Sequence, residues 1–186
     1  MQNNFIFIAN NLGLDFVNTI VMRDGAHYDT FKIPGDLAHW FAAAEINIAG
    51  EIDQIVFEKA ILLRSSIKNC VIALSHGNEL NHDDINVLNA ALKHRQETQT
   101  LIMENQTLQF DTSQNAHTPL SALGEISFQT AKLLTSDNTS RIKSCSNPNC
   151  ILTFNDTSKS GRRRWCSMEI CGNRAKASKH YHSHKE

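Results

Sequence analysis

The chain has no long hydrophobic run. No apolar stretch approaches the roughly 18 residues of a membrane span. The opening Met1, Gln2, Asn3 and Asn4 are uncharged, and apolar residues 5–8 are too few for a secretory h-region. The expectation is a cytoplasmic protein with no membrane partner, whose thiols stay reduced and available to metal. Catalytic signatures are missing too. There is no phosphate-cradling glycine loop, no nucleophile beside a base and no paired-acid motif, so no enzyme is expected. Six histidines (His27, His39, His76, His82, His94 and His117) are scattered without metal-ligand spacing. Aromatics are only 7% of residues and do not form the spaced platform of single-strand readers. No internal repeat occurs, and the only biased tract is the histidine-rich tail.

Cysteine is scarce, five in 186 residues, yet four of the five form two matched pairs: Cys145 with Cys150, and Cys166 with Cys171. Each pair encloses four residues, and fifteen lie between the pairs. That pattern suits one tetrahedral four-thiolate Zn2+ site, because each tight turn supplies two sulfurs. With four protein ligands and no open position, such a site is structural. Iron–sulfur ligation is the rival chemistry, and disulfides are a third reading that a reducing compartment disfavours. Cys70 sits in an apolar stretch and reads as a small buried hydrophobe.

Net charge is −1, but its distribution is uneven: residues 1–140 hold 8 Lys+Arg against 16 Asp+Glu, and residues 141–186 hold 10 against 3. The step falls at the best linker candidate, residues 136–140. Residues 1–140 are expected to form one regulatory domain with its own core. Residues 141–186 are too few for that and need a metal to fold. The basic balance of the second part points to an anionic partner.

Local pattern predicts a mostly helical α+β fold for the first part. Residues 5–8 read as a short strand, and residues 14–20 fit strand or helix. Pro34, Gly35 and Asp36 start a helix with Leu37, Trp40 and Phe41 on one face. The strongest helix spans 52–76, with Ile55, Leu62, Ser66 and Val71 on a stripe thickened by Val56, Ala60, Leu63, Ile67, Cys70 and Leu74, and Gly77 as its stop. Asn81, with Asp84 three residues on, resembles a capping box. Residues 100–111 predict two strands around Glu104, Asn105 and Gln106, and Thr118-Pro119 caps another helix. Asp15 and Asn18 have the spacing to line a small-effector pocket; the competing reading is a polar turn or cap that fixes the N-terminal fold.

In the second part, residues 151–154 read as a strand, 155–161 as a turn, and Arg162, Arg163, Arg164 and Trp165 as the return strand. Residues five apart on a helix differ by about 140° in direction. Cys166 therefore belongs at the strand end and Cys171 in the turn or first helical turn beyond, with Ser167 as N-cap. The result is a treble-clef-like four-cysteine zinc finger with a core of Phe154 and Trp165. Asn173, Lys176, His180 and His184 share the outer helix face, flanked by Arg174 and Lys179. Three arginines in a row cannot all point one way, so at least one serves structure or solvates.

The run Cys145-Ser146-Asn147-Pro148-Asn149-Cys150, then Phe154, Asp156, Ser158, Arg163-Arg164-Trp165-Cys166-Ser167-Met168 and Cys171-Gly172-Asn173-Arg174, resembles the CGNR zinc-finger family. Leu14-Asp15-Phe16-Val17-Asn18-Thr19, with Asp36-Leu37 and Trp40, resembles that family's companion domain, a stress-induced transcription regulator. The resemblance implies a bacterial, zinc-dependent, DNA-binding regulator. One departure is the tail: such tails tend to be arginine-rich, whereas residues 176–186 carry three histidines, which would strengthen binding below about pH 6.5. The residues expected at DNA are Arg162, Arg163, Arg164, Lys176 and Lys179 on phosphates, and Asn173, Arg174 and His180 on base edges. A zinc-stabilised protein-interaction adaptor, an RNA-binding module and a merely solubilising basic surface stand as alternatives. A homodimer would suit a reader of repeated half-sites, though no residue demands one.

Overall fold

Asn11 caps the first helix by accepting from Leu14 N, and α1 runs Leu12–Val17. The computed structural model describes residues 5–96, 100–111, 116–137 and 139–177. Residues 14–20, open between strand and helix, divide between the two: α1 ends at Val17 with Asn18 as its C-cap, and β1 (Ile20–Arg23) pairs antiparallel with β2 (Ala26–Asp29). Helix α2 (Pro34–Ala43) comes next, followed by three longer helices: α3 (Gln54–Ser75), α4 (His82–Leu92) and α5 (Pro119–Leu134). Between α4 and α5 a second hairpin, β3 (Thr100–Glu104) with β4 (Thr107–Asp111), turns on Asn105 and Gln106. Both turn residues have positive φ, 50° and 62°, as a two-residue hairpin turn requires.

The helix ends follow local chemistry. Asp53 caps α3 by accepting from Val56 N, and Gly77, at φ 69°, takes the left-handed conformation just past its end. Thr118 caps α5 ahead of Pro119. Asn81 caps α4 through Asp83 N, and Asp84, expected to complete a capping box, instead accepts from Asn69 of α3.

The core joins α1, α2, α3 and α5 around an aromatic cluster. Phe16 and Phe41 meet Trp40 edge-on at 4.9 and 5.7 Å between ring centres. Residues 5–8, expected as a strand, have no regular structure. Their backbone is drawn to the Asp15 carboxylate, and Phe5 and Phe7 lie against Phe31 and Trp40. The stripe expected on α3 is rotated. Val56, Ala60, Leu63, Ile67, Cys70 and Val71 are buried, but Ile55 is 64% and Leu62 55% exposed. The neighbouring helices cover the face that repeats at 56, 60, 63 and 67, leaving positions about 100° away in solvent.

One charged pair lies inside this body. Arg64, 3% exposed, donates to both oxygens of Asp29 and to Thr19 Oγ1, tying α3 to the first hairpin. Burial pushes the Asp29 carboxyl up, but the guanidinium outweighs it and holds the group below its ordinary range.

After α5, a 3-10 turn (Thr139–Arg141) leads into β5 (Ile142–Ser144), which pairs with β6 (Thr153–Asn155). The expected return strand at 162–165 is absent. The backbone groups there bond elsewhere: Arg163 N donates to Asp156 Oδ2, and Arg164 O accepts from Ser146 N. The hairpin partner of β6 is the segment before the first cysteine, not the segment before the third.

Candidate metal centre and basic surface

β5 ends one residue before Cys145. Asn147 then makes the tight turn, its carbonyl accepting from Cys150 N at 2.9 Å and its side chain from Asn149 N at 3.0 Å. Cys145 N donates to Leu152 O, closing the loop. On the other side, the bond from Ser146 N to Arg164 O brings the second pair in, and Cys166 N donates to Cys145 Sγ. Ser167 caps the helical turn Met168–Gly172 through Ile170 N, as its position predicts, and Cys171 sits inside that turn. The turn is wide, with Gly172 N reaching back five residues to Ser167 O, and residues 173–177 continue it as α-helix.

These constraints gather the four sulfurs to within 4.8 Å of one another, with Cys150 Sγ and Cys166 Sγ 3.7 Å apart. A tetrahedral ion with metal–sulfur bonds of about 2.3 Å sets its ligands roughly 3.8 Å apart. A disulfide needs about 2.05 Å. The donor set therefore fits one zinc ion held by Cys145, Cys150, Cys166 and Cys171, three of them buried. The thiols' own electrostatics point the same way. A hydrogen bond from Cys166 holds the Cys150 thiol down at about 5, while that same partnership and burial push Cys166 far up, and burial pushes up Cys171. A bound dication supplies the positive charge that lets coordinating thiols ionise.

The match to known families coincides with this geometry. A family model described as "Putative stress-induced transcription regulator" matches residues 10–137. The chain belongs to that family. A second model, the CGNR zinc finger, matches residues 141–184 and contains all four cysteines. Comparison with curated proteins finds no significant match. The chain is thus a zinc-binding protein of a regulator family, and both families are regulator and zinc-finger types rather than enzymatic ones. Among the described residues no helix is long and apolar enough to cross a membrane.

Arg162 and Arg164 are exposed, as are Asn173, Arg174 and Lys176 beyond the metal site. Arg163 is different. Its guanidinium lies 4.2 Å from the centre of the Phe154 ring and donates to the carbonyls of Trp165, Ile8 and Cys166. It is a clamp between the finger and the N-terminal segment, not part of the free basic face. Lys179 and His180 lie outside the described residues.

Asp15 and Asn18 are both buried, and their hydrogen-bonding atoms meet backbone. Asp15 Oδ1 accepts from Ile8 N and Ala9 N. Asn18 spans the seam to the finger, donating to Thr153 O at 2.8 Å and accepting from Thr153 N at 2.9 Å. That side-chain amide is an extra strand partner for β6. Nearby, Asn155 N donates to Ala9 O, so the finger docks along the N-terminal segment by backbone bonds.

Asp156 carries more of the finger than the sequence indicates. It is 0% exposed, and its carboxylate accepts from Lys143 Nζ at 2.7 Å, from Ser158 N and Oγ, and from Arg163 N. Burial alone would raise its pKa; the Lys143 ammonium and the three other donors overcome that and hold it below the carboxylate range. The Asp-x-Ser spacing of a side-chain turn was the one available signal. Between this knot and the C-terminus of α3 lies an open groove of about 690 Å³, lined by Ser75, His76, Ser144, Ser146, Arg162 and Arg164 among others.

Proposed function

We propose that this protein is a cytoplasmic, zinc-dependent DNA-binding transcription regulator. The observation that carries the reading is a sorting of the finger's cations. Arg163 and Lys143 are taken up internally, whereas Arg162, Arg164, Arg174 and Lys176 stand exposed on a scaffold that four sulfurs and one buried carboxylate make rigid. Asn173 shares that exposed helix with Arg174 and has the donor–acceptor pair suited to an adenine edge. The groove at the α3 terminus extends the surface with three serine hydroxyls, which suit phosphate oxygens. The α-helical body would serve sensing or assembly.

Mobility shift of random duplex DNA by the full-length zinc protein, titrated with salt, tests this. The logarithm of affinity should fall by about 0.9 per neutralised phosphate per decade of salt, and the Arg162→Ala/Arg164→Ala pair should lower that slope by about 2. No shift at low salt, or a shift indifferent to the two arginines, would transfer the surface to the protein-adaptor reading. Preferential shift of duplex RNA would change the polymer.

A further inference from the structure

The N-terminal body contains a cleft that no described residue of the zinc finger lines. It opens between α3, α4 and α5 and has a volume of about 220 Å³. Its floor is Leu63 and Leu123, 1% and 3% exposed. On the α4 side the residues are Ala90 and Ala91, whose short side chains leave the space open, and half-exposed Leu62 forms the outer lip. The basic side chains of Lys59, on α3, and His94, just beyond α4, stand at the rim. Among the described residues neither makes a side-chain hydrogen bond or ion pair, and none of those lining the cleft is a carboxylate.

An apolar gap between helices ordinarily closes, because collapse restores dispersion contacts. Here the helices are pinned to one another at fixed points around the cleft. Gly124 lets α5 approach the end of α4 backbone to backbone: a Cβ there would stand 2.6 Å from Arg95 N and 3.0 Å from Ala91 O. Ser127 Oγ donates to Leu88 O at 2.8 Å in the interior, and Arg95 Nε pairs with Glu125 at 2.9 Å. Asn69 and Asp84 join α3 to α4. These contacts fix the cleft without filling it.

The geometry points to a binding site for a small amphiphilic anion, with one aromatic ring or a comparable branched aliphatic body in the cleft and a carboxylate-type head at Lys59 and His94. Size and charge set that class. A cavity of about 150 Å³ lined by similar residues accommodates benzene, so this one takes a ring with a short chain and nothing as large as a typical cofactor. A rim whose described residues include two basic groups and no acid selects an anionic head over a neutral or cationic one. The inference does not rest on DNA binding, since cleft and finger share no described lining residue.

The test uses the zinc-loaded full-length chain and two matched probes, 3-phenylpropionate and the uncharged 3-phenylpropanol, observed through the methyl resonances of Ala90, Ala91 and Leu123. Saturable one-to-one shifts confined to those methyls are expected, with the carboxylate bound about threefold to fivefold more tightly, the range of an exposed ion pair. Lys59→Gln should remove the preference and leave the alcohol unchanged; Ala90→Phe should fill the cleft and abolish both. Absence of saturation below about 10 mM, equal affinity of the two probes, or shifts that survive in folded Ala90→Phe would each overturn the proposal. So would methyl shifts that follow protein concentration alone, because they would seat a second copy of the chain in the cleft. The wild-type titration decides the matter even if the filled variant does not fold.

Discussion

The helical body and the zinc finger solve the same problem with different materials. Most of the largest fully buried side chains belong to the body: Trp40, Phe16, Phe41, Leu14, Leu37, Leu63, Ile67 and Ile126. Among the described residues the finger contributes Phe154 and the charged Asp156 to that group. Non-directional burial is therefore available to the first region and almost absent from the second. In its place the finger uses directional bonds: four sulfurs aimed at one point, a carboxylate with four donors, and a guanidinium on three carbonyls. A region held by directional bonds is rigid when every partner is present and has little to fall back on when one is lost. That is a reason for a small module to carry recognition while the larger one tolerates a cleft.

The largest expected effect is therefore metal removal. Zinc binding to small modules is worth on the order of 10 kcal/mol, comparable with the whole stability of a domain. A strong chelator, or Cys166→Ser, should abolish hydrogen-exchange protection in β5 and β6 and the near-ultraviolet signal of Trp165. Helical far-ultraviolet dichroism should largely persist, since α3 and α5 belong to the body. Protected finger amides in metal-free protein would show that the contrast between the regions is false.

A smaller effect is expected at the seam. Asn18→Ala leaves both the N–H and the carbonyl of Thr153 without their partner, at about 1–3 kcal/mol for each unsatisfied group. A loss of about 2–6 kcal/mol should follow in zinc-loaded protein, measured by denaturant unfolding. Once metal is removed the same substitution should cost much less, because an unfolded finger no longer presents β6 to Asn18. An equal cost in both states would mean that Asn18 stabilises only the body.

What sequence could reveal divides along the same line. The four ligands were legible because a turn of four residues is a local event, and β3–β4, the Gly77 stop of α3 and the Thr118 cap of α5 were legible for the same reason. Ile55 and Leu62 misled because a broad apolar helix does not declare which part of its surface its neighbours will cover. Residues 5–8 have strand composition, but their backbone partner is Asp15, and no periodicity encodes that. The arginine run looked like a return strand, and at least one member was expected to serve structure or solvate without the sequence saying which. Its alternation is decided by Ile8, 155 residues away, and by a buried carboxylate whose role emerges only with the fold. Charge read from sequence locates a basic module well and sorts its members poorly.

The smallest expected effect is also the one that probes both regions at once. Burial pushes the Asp15 carboxyl up to about 6 from the usual 3.8, against the pull of the Ala9 and Ile8 N–H groups and the nearby Arg163 guanidinium. A raised folded-state value means that the native protein binds the extra proton between about pH 4 and 6. The Asp15 contribution to stability therefore grows as pH falls through 6 and is complete near 4, opposite in sign to Asp156, whose lowered value makes its contribution fade under acid. Asp15→Asn keeps an oxygen for the two N–H groups and removes the buried charge. Its stability relative to wild type should improve by on the order of 1 to 2 kcal/mol from pH 5 to pH 7.5, a difference from which acid release of zinc, common to both proteins, cancels. A directly titrated Asp15 value at or below 4 would show that the N–H groups and Arg163 outweigh burial. Chelation sharpens the test: once the finger unfolds and Arg163 leaves Ile8, the Asp15 value should rise further, and no shift would mean that the clamp exerts no electrostatic hold on the body.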